Sequence, residues 1–180
     1  MPKTIKVIDP RKVQKSDCPL IVLCDDRRSF IGFAIKAHSH GNYSHIMSEY
    51  LPGWVASQDF GGFRTKKIDP YLKPHIHLKF WKFNEWTKSL KIDWELSIEK
   101  ELNEPWWRRK YDFLGILGQL IPGRWTRKLN SPWSRYCSER VGTRLRDILQ
   151  MDIPSHSTPS EIDSILSLDD RWEVHGYWFV

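Results

Sequence analysis

The sequence holds few cysteines and none in a metal-binding arrangement. Cys18, Cys24 and Cys137 are the only three in 180 residues. No C-x-x-C spacing is present, which excludes the common zinc sites. An odd number leaves at least one thiol without a partner in the chain, which suits a reducing compartment or a protein with a working thiol. No stretch approaches 18 consecutive apolar residues, so no transmembrane helix is expected. The start, "MPKTIKVIDPRKVQKSD", lacks the apolar core of a signal peptide. Cytoplasmic residence is the default expectation; a phage-borne protein, or one exported by other machinery, is the alternative. Internal repeats and low-complexity segments are absent as well, which excludes solenoids and arrays. No long basic run of the nucleic-acid type occurs.

What is present describes an ordinary globular chain, with 40% hydrophobic and 28% charged residues. Its formal net charge is +6 and its pI about 9.2. That balance favours acidic partners: an anionic polymer, a membrane surface or nucleic acid. The plainer reading is a modest excess spread over the surface. "WWRRK", Trp106 to Lys110, is the nearest thing to a basic aromatic patch. A nucleic-acid face would draw on Arg108, Arg109, Arg124, Arg127 and Lys128, but the signal is weak. Ten tryptophans can fill a core or line a groove.

Periodicity predicts an α+β domain over 19–180 behind an irregular arm at 1–18. "PLIVLCD" reads as a strand, and 27–39 spaces Phe30, Phe33, Ala34 and Ala37 as a helix. Segments 45–50 and 54–59 flank Pro52-Gly53 as a hairpin. Residues 76–83 read as a further strand, and 172–180 as the last. "IDWELSIEKELNE" places Trp94, Ile98 and Leu102 on one helical face. Residues 111–121 read as a buried helix and 122–133 as a loop. A helix over 138–150 presents Val141, Leu145 and Leu149. Ser157 or Thr158 caps a last helix, with Glu161 in its first turn.

Cys137 stands where the 138–150 helix begins. A helix N-terminus favours a thiolate through its dipole, and its free N–H groups can receive an oxyanion. The competing reading is a small buried core residue. Cys24 reads as core and Cys18 as a loop residue. A nucleophilic thiol needs a base. Of the seven histidines, His45 opens a strand directly after a turn, a rigid place from which to project an imidazole.

"YSH" opening a strand, followed much later by "YCSERV" opening a helix, resembles the circularly permuted branch of the NlpC/p60 superfamily of papain-like cysteine enzymes. There histidine precedes cysteine. "RSFIGFAIKAHSHGNYSHIM", "GGFRTKKIDPYL", "ELNEPWWRRKYDFLGIL" and "HSTPSEIDSIL" resemble further family landmarks in order, from about Pro19 to the C-terminus. The resemblance implies a papain-like, permuted NlpC/p60-type antiparallel sheet packed against helices, with the nucleophile at a helix N-terminus. It implies a thiol hydrolase or amidase in which Cys137 attacks and His45 takes the proton. The family's third polar residue, commonly His or Glu, falls here on "WVASQD". Gln58 is favoured and Ser57 is the alternative, with Asp59 a third choice, because hairpin register alone decides the face. Tyr136 and Tyr111 are oxyanion or substrate candidates. No metal and no cofactor are expected. The implied substrates are peptidoglycan peptides or other peptide amides, with an acyl-lipid or thioester as alternative. A non-catalytic binding module that kept the fold is a further alternative.

Overall fold

The apolar run at 20–24 becomes β1 (Leu20–Asp26), and each residue from Leu20 to Cys24 is buried. A strand apolar on both faces belongs inside its sheet, covered on each side. The computed structural model, which describes residues 6–39, 41–59, 61–110 and 136–179, places β1 there. The other elements are α1 (Phe30–Ser39), β2 (His45–Leu51), β3 (Trp54–Asp59), β4 (Gly62–Lys67) and β5 (Ile76–Phe83). They are followed by α2 (Lys88–Leu102), α3 (Trp106–Arg109), α4 (Cys137–Leu149), α5 (Pro159–Leu168) and β6 (Trp172–Trp178). The six strands form one antiparallel sheet in the order β4-β3-β2-β1-β5-β6. The fold is α+β, with helices against the sheet. The helix and loop expected over 111–133 lie outside the described residues.

The pleat sorts the core into two sides. Ile21, Leu23, Ile46 and Ala56 meet Trp94 and Ile98 of α2, Val141 and Leu145 of α4, and Ile162 of α5. Val22, Cys24, Met47 and Val55 face the other way, under Val13, Cys18, Ile68 and Tyr71. Val141, Leu145 and Leu149 recur at helical spacing and are all buried. Each such side chain contributes roughly 1.5–3 kcal/mol by leaving water. Trp94 and Ile98 are buried as their spacing predicts, and Leu102 only partly. Phe33 departs from the expected face of α1 and is exposed.

Two glycines have a geometric reason. Gly53, with φ 72°, turns the chain between β2 and β3. Gly62, with φ 91°, opens β4, and a Cβ there would stand 2.7 Å from the Arg109 carbonyl oxygen. β4 itself is a strand the sequence did not announce. Its "GFRTKK" is too charged to show an apolar pattern, as suits a strand at the sheet's rim. The arm is also more ordered than expected. It carries a 3₁₀ turn at Pro10–Lys12 and a parallel bridge from Val7 to Tyr177.

α2 and α4 are joined by charge as well as by apolar contact. Arg140 and Arg144 are buried in α4. Arg140 Nη1 lies 3.0 Å from Glu104 Oε2 and 3.4 Å from Glu101 Oε2. Arg144 pairs with Glu101. Buried charges persist only when paired in this way.

Candidate active site

Cys137 is the first residue of α4. Tyr136 before it is extended, at φ −101° and ψ 170°, and gives no side-chain cap. The first-turn N–H groups therefore remain available for another acceptor. The N–H groups of Ile46, Ser138 and Cys137 itself lie close enough to the Cys137 sulfur to favour its ionised form. The thiol is nevertheless buried, and burial pushes its pKa up to about 11 against the pull of those N–H groups. At neutral pH it is protonated.

His45 opens β2 opposite Cys24 of β1. Its Nε2 lies 2.9 Å from Ser57 Oγ and 3.5 Å from the Tyr71 hydroxyl. Ser57 Oγ is in turn 2.9 Å from the Tyr71 hydroxyl. The Tyr71 ring stacks on the imidazole, with centroids 6.0 Å apart and planes 19° apart. Burial first, and Lys66 after it, lower the His45 pKa to about 4 against the opposing pull of Asp59. The imidazole is neutral.

The hairpin register, which sequence cannot supply, separates the two residues considered beside His45. Ser57 touches the imidazole. Gln58 faces the helices instead: its Nε2 donates to the Arg109 carbonyl at 2.9 Å, and its Oε1 accepts from Arg140 Nε at 2.8 Å. With Arg140 Nη2 donating to the Arg108 carbonyl at 2.7 Å, Gln58 ties β3 to α3 and α4. Asp59 pairs with Lys66 and Arg64. The Tyr136 hydroxyl lies 3.4 Å from His156 Nδ1, and Tyr111 lies outside the described residues.

The structure thus brings the sulfur to Ile46, one residue from His45, and joins His45 to Ser57 and Tyr71. It shows no hydrogen bond between Cys137 and His45 among the described residues. The pleat explains this. Ile46 shares the helix side with Cys137, whereas Tyr71 belongs to the opposite side. Tyr71 and Lys66 are the site neighbours that sequence reasoning missed. They lie in "GGFRTKKIDPYL", where nothing in the spacing marks them as partners of a histidine 26 residues earlier.

No family model matches the sequence, and no curated protein matches it. Among solved structures the chain is similar to the metalloprotein yiiX from Escherichia coli O157:H7, which carries the label DUF1105. The two are 18% identical with a TM-score of 0.51, over 74% of this chain and 66% of that one. The match therefore spans just under two thirds of that protein's length. Among the described residues of the present chain, no three His, Cys, Asp or Glu side chains gather as a metal site. At this identity the likeness is one of fold, and it agrees with the antiparallel sheet and packed helices described above.

Proposed function

We propose that the chain is a papain-like thiol hydrolase of the permuted kind, cleaving an amide bond in a peptide. The observation that carries the reading is the seat of Cys137. A sulfur on the first residue of a helix, with backbone N–H groups near it that favour its anion, has the surroundings a thiolate or an oxyanion needs.

The chemistry follows from neutral partners. The Cys137 proton passes to His45 as the sulfur attacks the carbonyl carbon. Negative charge moves to the carbonyl oxygen, which the first-turn N–H groups receive. The tetrahedral adduct collapses, the C–N bond breaks, and the imidazolium returns the proton to the leaving amine. Water then resolves the thioester through the same base. A thiol near pKa 11 and an imidazole near 4 do not rest as an ion pair. Proton transfer is therefore concerted with attack, and the imidazole turns from its present seat to meet the sulfur. An acyl ester or thioester would be cleaved by the same steps, and the basic surface suits an anionic substrate such as a cell-wall peptide.

Cys137→Ala abolishes hydrolysis of a peptide-amide panel that the wild-type chain cleaves; retained turnover defeats the reading. One observation favours a second reading, a non-catalytic module: the raised thiol pKa with no imidazole bond. Turnover of the same panel separates the two: cleavage by the wild-type chain that is lost in both Cys137→Ala and His45→Ala supports the hydrolase, and no cleavage by the wild-type chain supports the module.

A further inference from the structure

Counting donors and acceptors around His45 fixes where the protons lie. The Tyr71 hydroxyl, Ser57 Oγ and His45 Nε2 form one chain of polar atoms, with Lys66 Nζ over the Tyr71 ring. An ammonium only donates, so Lys66, paired with Asp59 and set beside the tyrosine, takes no proton from Tyr71. Lys66 also lies 4.6 Å from the centre of the Tyr71 ring, which keeps the cation at this end of the chain. The tyrosine's own proton has two acceptors in reach among the described residues. Ser57 Oγ is at 2.9 Å and His45 Nε2 at 3.5 Å. The shorter bond takes it. The single proton of Ser57 then goes to His45 Nε2 at 2.9 Å.

In this order each proton has an acceptor, and successive bonds polarise one another in one direction. The opposite order has Nε2–H donating to Ser57 and Ser57 donating to Tyr71. It leaves the tyrosine proton with no acceptor in a buried place, which is the costly arrangement.

We propose that Tyr71 and Ser57, with the Lys66 cation beside them, form a proton-ordered chain that holds His45 in its Nδ1–H tautomer, with Tyr71 the positioning residue, so that the resting site is latent. The proton order stands on the geometry alone; the latency rests on the hydrolase reading above. With Nε2 occupied by Ser57, Nδ1 is the nitrogen left for any other partner, Cys137 included once the ring turns toward it. In this tautomer Nδ1 already carries a proton and cannot accept the thiol's. Reversal needs a new acceptor for the Tyr71 proton. A substrate oxygen placed at Tyr71 supplies one: Ser57 turns to donate to Tyr71, the ring gives its Nδ1 proton to solvent and takes one from solvent at Nε2, and Nε2–H donates to Ser57, the ring staying neutral throughout. Nδ1 then becomes the base. The titratable groups around the ring are Lys66 on β4, Asp59 on β3, Cys24 on β1 and Tyr71 itself. Among the charged ones, Lys66 favours the neutral ring and Asp59 disfavours it.

The test is ¹⁵N-resolved NMR of the His45 ring in the full chain, for wild type, Tyr71→Phe and Lys66→Met. The wild type shows Nδ1–H at neutral pH. Tyr71→Phe keeps the stacked ring but removes the hydroxyl, and the population moves toward Nε2–H. Lys66→Met raises the pH at which the ring takes its second proton. Iodoacetamide labelling of Cys137 at neutral pH is faster in Tyr71→Phe, about threefold or more. A wild-type ring protonated at Nε2, or a tautomer unchanged in Tyr71→Phe, overturns the proton order. An unmoved midpoint in Lys66→Met removes the Lys66 cation from the arrangement. A shifted tautomer with unchanged labelling overturns the latency and the pairing of His45 with Cys137, while the proton order stands.

Discussion

At the scale of single residues, chemistry here is set by burial more than by neighbouring charge. Ser57 is small, buried and in contact with Nε2 of His45. Ser57→Ala removes that partner without opening a large cavity. On an amide substrate it lowers kcat roughly 10-fold to 100-fold with KM little changed, since orientation of the base is lost and binding is not. Steady-state kinetics on both variants check this, with Gln58→Ala as the contrast. Gln58 holds Arg140 and the Arg109 carbonyl, so its loss shows first as a lower melting temperature. Glu49 gives a second residue-scale expectation. It is fully buried on β2, its Oε1 accepts from the Gly53 N–H at 2.8 Å, and its Oε2 has no partner among the described residues. Burial raises its pKa from 4.5 to about 8. The folded chain therefore binds a proton that the unfolded chain has released. Its contribution to stability is full below pH 4.5 and is lost as pH rises toward 8, on the order of 4 kcal/mol in all. Glu49→Gln flattens that slope, and urea unfolding midpoints at pH 5 and pH 8.5 measure it.

Elements are held where their ends or their charges are satisfied. Thr158 caps α5 by accepting from the Glu161 N–H at 3.2 Å, while Glu161 accepts from the Thr158 N–H at 2.7 Å. Thr158→Ala costs about 1 kcal/mol, read from thermal unfolding. The pairing of α2 with α4 is more demanding. Glu101→Gln leaves Arg144 and Arg140 short of a counter-charge in a buried place and costs roughly 3–5 kcal/mol in chemical unfolding. The cap was legible in the sequence, as were β1, β3 and β5, because each rests on a local pattern: an apolar run, a turn pair, a threonine three residues before a glutamate. The buried arginines were not, since charge along a helix ordinarily reads as a wetted face. β4 was missed for a related reason, its apolar content being too low for a strand pattern. The site was legible to the level of Cys137 at a helix start and His45 at a strand start. The choice between Ser57 and Gln58 was not, because a register that differs by one residue exchanges the sheet faces. Tyr71 and Lys66 come to His45 only through pairing between distant segments.

Over the whole molecule, cohesion centres on β1, which has strand neighbours on both sides and apolar layers above and below. Amides of β1 and the facing part of β2 exchange with solvent slowest, and those of the arm and α1 fastest. Hydrogen exchange followed by mass spectrometry checks the ranking; equal protection of arm and β1 contradicts it. The arm's placement has a consequence of its own. Tyr177 exchanges backbone hydrogen bonds with Lys6 and Ile8, both 2.8 Å long, and a Cβ at Gly176 would lie 2.6 Å from Ile8. These few residues plug the outer margin of β6. A nick ahead of Pro10 would strip them away and turn a sealed margin into an adhesive one, where a second molecule's β6 could be zipped alongside and the sheet continued from copy to copy.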